Sequence, residues 1–313
     1  MRQYILRRLG GMAIVMFVVA TIVFVIVRVI PGDPAAIMLG PDATGADIAA
    51  LRERLGLNEP LPVQYAIFLA RTAVGDLGQS IFLNRPVLQA IAERAEPTLC
   101  LTLIAITIAL LIGLPAGIVS AVNRGRLADQ VALAMAMLLA SMPAFWLGLI
   151  FIQRFSVDLG WFPVAGYGEP GASFLERMRH LLLPAIVLGL NSSALITRFT
   201  RASMLDVLGE DYIRTGRSKG LGEPVVVMKH ALRNALIPIL TVIGLTMALL
   251  LGGAVVTETV FSLPGVGNLV VSAVLRRDYP VIQGALIVIA ALYVLVNLAI
   301  DLLYLLIDPR VRY

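Results

Sequence analysis

Residues that build catalytic or metal centres are scarce in this sequence. There is one cysteine, Cys100, inside an apolar run, so no intrachain disulfide forms and no thiol pair is present to hold a metal. It reads as a small apolar filler. Histidine occurs twice, at His180 and His230, and lysine twice, at Lys219 and Lys229. No nucleophile converges with a base within the apolar stretches, which argues against a membrane-embedded enzyme. Charge is scarce too, at 14% of 313 residues against roughly 25% in an average soluble domain. Hydrophobic residues make up 59% and the mean hydropathy is +0.89, an apolar surplus better suited to a bilayer than to one buried core. The net charge of +5 does not follow one stripe. Basic residues fall between apolar runs, a pattern of membrane topology and not of nucleic-acid binding. Internal repeats, low-complexity tracts and the inverted symmetry of many secondary transporters are also missing.

What is present is a set of six uncharged stretches. Arg8 and Arg28 enclose 19 residues, Glu96 and Arg124 enclose 27, and Asp129 and Arg154 enclose 24. His180 and Arg198 enclose 17, Arg233 and Glu258 enclose 24, and Asp278 and Asp301 enclose 22. A helix rising about 1.5 Å per residue needs about 20 residues to cross about 30 Å of hydrocarbon. All six qualify, the fourth narrowly, and backbone hydrogen bonding in lipid requires them to be helices. The expected fold is therefore all-α, a polytopic membrane protein of six transmembrane helices. The first stretch has a basic start but no small-residue cleavage site, so it is read as a retained helix. Pro115, Pro143, Pro184 and Pro238 fall in or beside spans and tend to bend them.

Arginine placement sets the orientation. With a cytoplasmic N-terminus, the inner segments hold 14 basic residues, whereas the short outer loops and outer helix ends hold 6. Both termini are expected in the cytoplasm. The segments are then an N-terminal helix (1–30), an extracytoplasmic cap (31–96), a five-helix core (97–306) and a cytoplasmic tail (307–313). The cap mixes Pro and Gly turns with an amphipathic helix from Ala46 to Leu55. Arg28 and Arg154 reach toward outer headgroups. Trp161 suits an aromatic belt and Trp146 the packed interior. Asp301 is an acid near the inner interface, paired with a basic group. Glu258 ends the fifth span outside, facing the pathway mouth or marking the interface. Gly252-Gly253 permit close helix approach or line the path, close approach being the favoured reading. The two histidines fall on opposite sides, so they form no common site.

The inner loop, 198–233, is the most informative segment. From Glu210 to Lys219 it is acidic at the start and basic toward the end, matching a helix macrodipole. Gly220 and Gly222 stop that helix, and Pro224 begins the next. Composition alone allows two readings: a docking element, or a solvated amphipathic linker between two spans.

The runs Glu210-Asp211-Tyr212-Ile213-Arg214-Thr215 and His230-Ala231-Leu232-Arg233-Asn234-Ala235 favour the first reading. The segment resembles the cytoplasmic coupling loop of binding-protein-dependent ABC transporter permeases, in particular the first permease subunit of the dipeptide/oligopeptide branch. The family's general pattern is Glu-Ala-Ala, three residues, then Gly. Here Arg214-Thr215-Gly216 take the first three places and Gly220 the last, so Arg and Gly depart from that pattern. Further similar landmarks are Pro31-Gly32-Asp33-Pro34, Gly75-Asp76-Leu77-Gly78-Gln79-Ser80, Leu159-Gly160-Trp161-Phe162-Pro163 and Glu258 through Gly267. Arg277 through Gln283 and the tail Asp308 through Tyr313 complete the set, so the likeness spans nearly the whole chain.

The resemblance implies a type I importer permease in a bacterial cell membrane, importing di- or oligopeptides by alternating access. Glutathione or nickel complexes are the alternative cargo, and an ion-coupled secondary transporter is the alternative class. It implies four kinds of partner: a homologous second permease, two ATP-binding subunits, an extracytoplasmic substrate-binding protein, and membrane lipid. ATP and Mg belong to the ATP-binding subunits; this chain lacks a Gly-x-x-x-x-Gly-Lys-Ser/Thr loop and carries no cofactor or metal of its own. The ATPase contact is expected at Glu210, Asp211, Tyr212, Arg214, Thr215, Gly216, Lys219, Gly220 and Leu221. A loop at Ser262, Pro264, Gly265 and Gly267 is expected to face the binding protein.

Overall fold

The computed structural model describes residues 2–29, 33–40, 42–169 and 171–307. Pro31 and Gly32 of the first landmark, and the tail from Asp308 with Arg310 and Arg312, lie outside the described residues. The chain divides into two compact units, Met1–Glu96 with Asn268–Leu295, and Pro97–Gly267 with Val296–Tyr313.

Among the described residues, five helices are long and apolar enough to cross a membrane, and a bent pair makes a sixth span if counted as one. In chain order the elements are α1 (Arg2–Val29), α2 (Pro34–Leu39), α3 (Gly45–Arg54), α4 (Leu61–Ala73), and a two-stranded antiparallel pair, β1 (Gln79–Ser80) and β2 (Arg85–Pro86). Then come α5 (Val87–Val122), α6 (Leu127–Ser141) and α7 (Ala144–Phe151), which continues as a π-helix over Ile152–Asp158. After α8 (Phe174–Leu208) follow α9 (Asp211–Ser218), α10 (Glu223–Val225), a π-helical turn Val226–Ala231, and α11 (Leu232–Val260). The last two are α12 (Val266–Arg276) and α13 (Tyr279–Ile307).

The third span differs from the straight helix expected between Asp129 and Arg154. α6 and α7 meet at 95°. Pro143 has no N–H and disfavours helical backbone at Met142, which is extended, so α6 ends at Ser141. The carbonyls freed at that break are not left bare. The Asn191 side-chain amide on α8 donates to Leu139 O at 3.0 Å and to Met142 O at 3.1 Å. Pro115, Pro184 and Pro238 lie inside continuous helices instead.

In the unit Pro97–Gly267 with Val296–Tyr313, α8 is the most enclosed helix and packs along α11, α6 and α7. Glycine permits the closest crossings. A Cβ on Gly117 of α5 would lie 2.6 Å from Thr200 Cβ and 2.7 Å from the Thr197 carbonyl oxygen on α8. On the α8 side, a Cβ at Gly189 would lie 2.7 Å from Ile108 Cγ2. Gly244 on α11 likewise has no room for a Cβ beside Ile300. Gly252 and Gly253 behave otherwise: among the described residues nothing lies within 4 Å of either Cβ position, so neither marks a close helix crossing there. Cys100 packs on the edge of the main apolar cluster, around Leu101, Leu181 and Leu188.

The unit Met1–Glu96 with Asn268–Leu295 is built around Val27, Ala35, Met38, Leu51 and Tyr279. The expected cap helix is present as α3, started by a capping box between Thr44 and Asp47. α2 and α4 are additional. The buried Ser80 hydroxyl donates to Asp278 Oδ2 at 2.5 Å, fastening the β1–β2 turn to the approach to α13. Arg28 turns inward, bonding Gln64 Oε1 at 3.1 Å with its guanidinium 3.9 Å from the Phe24 ring centroid. It is thus held by protein side chains at the end of α1, and Arg154 pairs with Asp158 four residues on.

Candidate functional site: a short helix between two long ones

α9 is an eight-residue helix between the end of α8 and the start of α11. Its local chemistry is self-consistent. Glu210 occupies the N-cap position and Asp211 the first turn, while Arg217 sits in the last turn and Lys219 at the C-cap, both complementing the helix dipole. Gly220 adopts φ +80°, a left-handed conformation that suits glycine and ends the helix. Pro224 then opens α10.

One side chain anchors this helix. Ile213 is 1% exposed and packs with Met204, Val226, Val227 and Ala235. Around it, Glu210, Asp211, Tyr212, Arg214, Thr215, Lys219, Gly220 and Leu221 are exposed, and Gly216 is half-buried. The nine expected contact residues therefore form one short exposed segment, with Ile213 as the residue they stand on. Sequence reading missed Ile213; its signal was a single apolar position in an otherwise polar helix. The Tyr212 hydroxyl accepts from Asn234 Nδ2 at 2.7 Å, tying α9 to α11. Arg214 pairs with Asp211 at 3.3 Å on the open face, a contact screened by solvent. A Cβ on Gly216 would meet Leu221 Cδ1 at 3.5 Å, an ordinary contact, so sterics alone do not demand glycine there.

The turn after α9 is closed by a bidentate pair that the sequence did not announce. Arg217 Nε donates to Glu223 Oε2 at 3.1 Å and Nη2 to Oε1 at 2.5 Å. This pair pushes the Arg217 pKa up from its ordinary value, chiefly through the hydrogen bond. The planar fork fixes the angle between α9 and α10 better than a single contact would.

A second polar cluster lies 10 residues before α9. The Asp129 carboxylate, at the start of α6, takes both Arg201 nitrogens of α8, Nε at 2.7 Å and Nη2 at 2.8 Å. It also accepts from Ser120 Oγ at 2.5 Å and from the Gly125 N–H at 2.8 Å. Side-chain exposure is 4% for Asp129 and 22% for Arg201. With Asn191 at the other end, α6 is fastened to α8 at both of its ends. α6 and α8 are thus held together as a pair.

The loop expected to face a binding protein follows α11. Ser262 and Pro264 are exposed there, whereas Gly265 and Gly267 are buried. Their reason is Glu258, 0% exposed. Thr98 Oγ1 donates to Glu258 Oε1 at 2.5 Å and accepts from the Val266 N–H at 2.9 Å. A Cβ on Gly265 would overlap the Glu258 carboxylate, and one on Gly267 would lie 2.8 Å from it. Glu258 is thus the buried centre of this loop rather than an acid at an open mouth. Phe261, also buried, accepts through its carbonyl from the Gly166 N–H at 2.9 Å.

Comparison with known proteins agrees with this architecture. Residues 113–313 match the family described as binding-protein-dependent transport system inner membrane component, and residues 1–102 match its N-terminal membrane component. The chain is 44% identical over 313 residues to a probable peptide ABC transporter permease protein, y4tP, of Sinorhizobium fredii (strain NBRC 101917 / NGR234), covering 100% of both chains. It is also 44% identical, with the same full coverage, to the glutathione transport system permease protein GsiC of Escherichia coli (strain K12). Among solved structures, its fold is similar to a chain of the MetNI methionine ABC transporter in inward-facing conformations. That match has a TM-score of 0.59 at 20% identity and covers 70% of this chain and 97% of that one.

Proposed function

The chain belongs to the binding-protein-dependent transport system inner membrane component family, and on that premise we propose how it works: α9 is the handle by which a cytoplasmic ATPase moves the transport path. The protein is a multi-pass inner-membrane permease subunit of an ABC importer. Short peptides are its proposed cargo. The y4tP relative is named for peptide and the GsiC relative for glutathione, itself a tripeptide. Glutathione is accordingly the second reading for cargo.

The observation that carries the proposal is the construction of α9: exposed polar residues on every side but one, a buried Ile213 beneath, and a following turn closed by Arg217 and Glu223. A linker needs no such construction. In this reading Glu210, Asp211, Tyr212, Arg214, Thr215, Gly216, Lys219, Gly220 and Leu221 meet a groove on the ATP-binding subunit. Charges set the register, and the exposed Tyr212 and Leu221 bury apolar area there. ATP binding closes the two ATP-binding subunits, α9 follows, and α8 with α11 alters access between the two sides. The chain lacks a phosphate-binding loop, so hydrolysis takes place on the partner. Both termini lie on the side of the ATPase, with Ser262 and Pro264 opposite, turned toward a substrate-binding protein. A homologous second permease completes the path.

Arg214→Glu combined with Gly220→Leu tests this. The first reverses a contact charge. The second forces a leucine to φ +80°, a strain of about 1–2 kcal/mol that distorts the end of the handle. Peptide uptake in the reconstituted transporter is expected to fall at least about tenfold, within the usual 5–150-fold range of site coupling. Substrate-stimulated ATP hydrolysis should fall with it. If uptake and stimulation both stay at wild-type levels, α9 is not the handle.

A further inference from the structure

Two cavities in the unit Met1–Glu96 with Asn268–Leu295 share the lining residues Thr72, Leu77 and Ile287. They differ sharply in chemistry. One, of about 230 Å³, is rimmed by Arg28, Arg54 and Arg71 on one hand and Glu53 and Asp76 on the other, an excess of one positive charge. Arg28 Nε is buried there with no hydrogen-bond partner, and neither Arg54 nor Arg71 makes an ion pair among the described residues. Arg54 and Arg71 are exposed, and their guanidinium donors are open to an incoming oxygen. The other cavity, of about 500 Å³, is almost wholly apolar, with Phe17, Leu69, Ala73, Leu88 and Ala291 in its wall.

End to end, the two linings together have a meaningful length along the helices. Arg28 lines the polar cavity and Phe17 the apolar one, 11 residues apart on α1, or about 16 Å at 1.5 Å per residue. On α13 the same descent runs from Tyr279 to Ala291, about 18 Å. Each is about half of the ~30 Å hydrocarbon thickness, the depth of one lipid leaflet. A cavity rimmed by arginines beside an apolar one, with shared wall residues and a combined length of one leaflet, matches the head and tail of a lipid.

We infer that the joined cavities hold one glycerophospholipid, its phosphate among Arg28, Arg54 and Arg71 and an acyl chain beside Phe17, Leu69 and Ala291. Arg54 and Arg71 donate to phosphate oxygens with the Arg28 charge beside them, and Glu53 or Asp76 accepts from a donor on the headgroup, an ammonium or a hydroxyl. The lipid is a fitted part of the unit, distinct from the fluid shell around it, and this assignment is independent of the role of α9.

Native mass spectrometry of the purified full transporter, mildly extracted, tests this. One retained phospholipid per copy of this chain is expected. Arg28→Gln with Arg71→Gln should reduce retention at least about tenfold, a loss of about 1.4 kcal/mol in binding. Ala73→Trp, which fills the apolar chamber and leaves the arginines alone, should reduce it as much. Equal retention in wild type and both variants would mean surrounding lipid only and overturn the site. Glycerol 3-phosphate binding that Ala73→Trp leaves unchanged would mean a free-anion pocket and overturn it equally. Wild-type protein gives a check that no folding defect confounds. A phospholipid with a photoreactive acyl chain should label residues 69–73 and 287–291, and labelling spread evenly over the lipid-facing helices would contradict the assignment.

Discussion

Asp129→Ala is expected to destabilise the assembled transporter by about 3 kcal/mol in reversible unfolding. That figure is the low end for breaking a buried ion pair, chosen because the Arg201 side chain keeps 22% of its surface open. The cause is not the lost attraction alone. Arg201 would be left without the carboxylate that takes two of its nitrogens, and the Ser120 hydroxyl and Gly125 N–H would lose their acceptor as well. Asp129→Leu with Arg201→Met removes both charges and should recover most of the stability, since apolar replacement of a whole buried pair is often neutral. Uptake should not recover with it if the pair also holds α6 to α8 during the transport stroke. A double variant as unstable as Asp129→Ala would mean that the damage is loss of packing and not an orphaned charge.

The second large effect belongs to Gly117. Gly117→Ala sets a methyl group against Thr200 Cβ and, at 2.7 Å, against the Thr197 carbonyl oxygen. The carbonyl is part of α8 and cannot rotate away as a side chain can. α5 and α8 must therefore separate, at an overpacking cost of about 1–3 kcal/mol, and a larger residue should prevent assembly. Gly252→Ala is the control. Its Cβ meets nothing within 4 Å among the described residues, and alanine is the better helix former by about 1 kcal/mol. Thermal unfolding of the two variants side by side should show opposite shifts. A loss for Gly252→Ala would instead mean that a neighbouring subunit lies against that face.

These two sites also show how far the sequence could be read. Charges at Arg8, Arg28, Glu96, Arg124 and their successors delimit the spans because lipid rejects charge, so the spans were legible without coordinates. The α9 segment was legible because caps and stops such as Glu210 and Gly220 act locally. Pro143 was recognisable as a bend, but nothing in the chain alone told it from Pro115, Pro184 or Pro238, which lie inside continuous helices. What decides between them is Asn191, far away in sequence, which satisfies the broken end of α6.

Long-range pairing was the part that stayed hidden. Asp129 and Arg201 are 72 residues apart; in sequence Asp129 marked a span end and Arg201 was one basic residue of the inner loop. Glu258 looked like a charge marking an interface, whereas Gly265 and Gly267 fold over it and bury it. Gly252-Gly253 resembled a packing motif, yet the close crossings use Gly113, Gly117 and Gly189. A glycine's neighbour across a helix pair is a property of the fold, and a single chain of letters does not contain it.

Site-directed cross-linking bears most directly on the account. With Cys100 replaced by Ser and Leu221 by Cys, the exposed end of α9 carries the only thiol of the chain. The account predicts a cross-link from position 221 to an ATP-hydrolysing subunit, with a yield that changes when ATP is added. Labelling of that thiol by an impermeant reagent outside intact cells, with no cross-link to any nucleotide-binding protein, would contradict it.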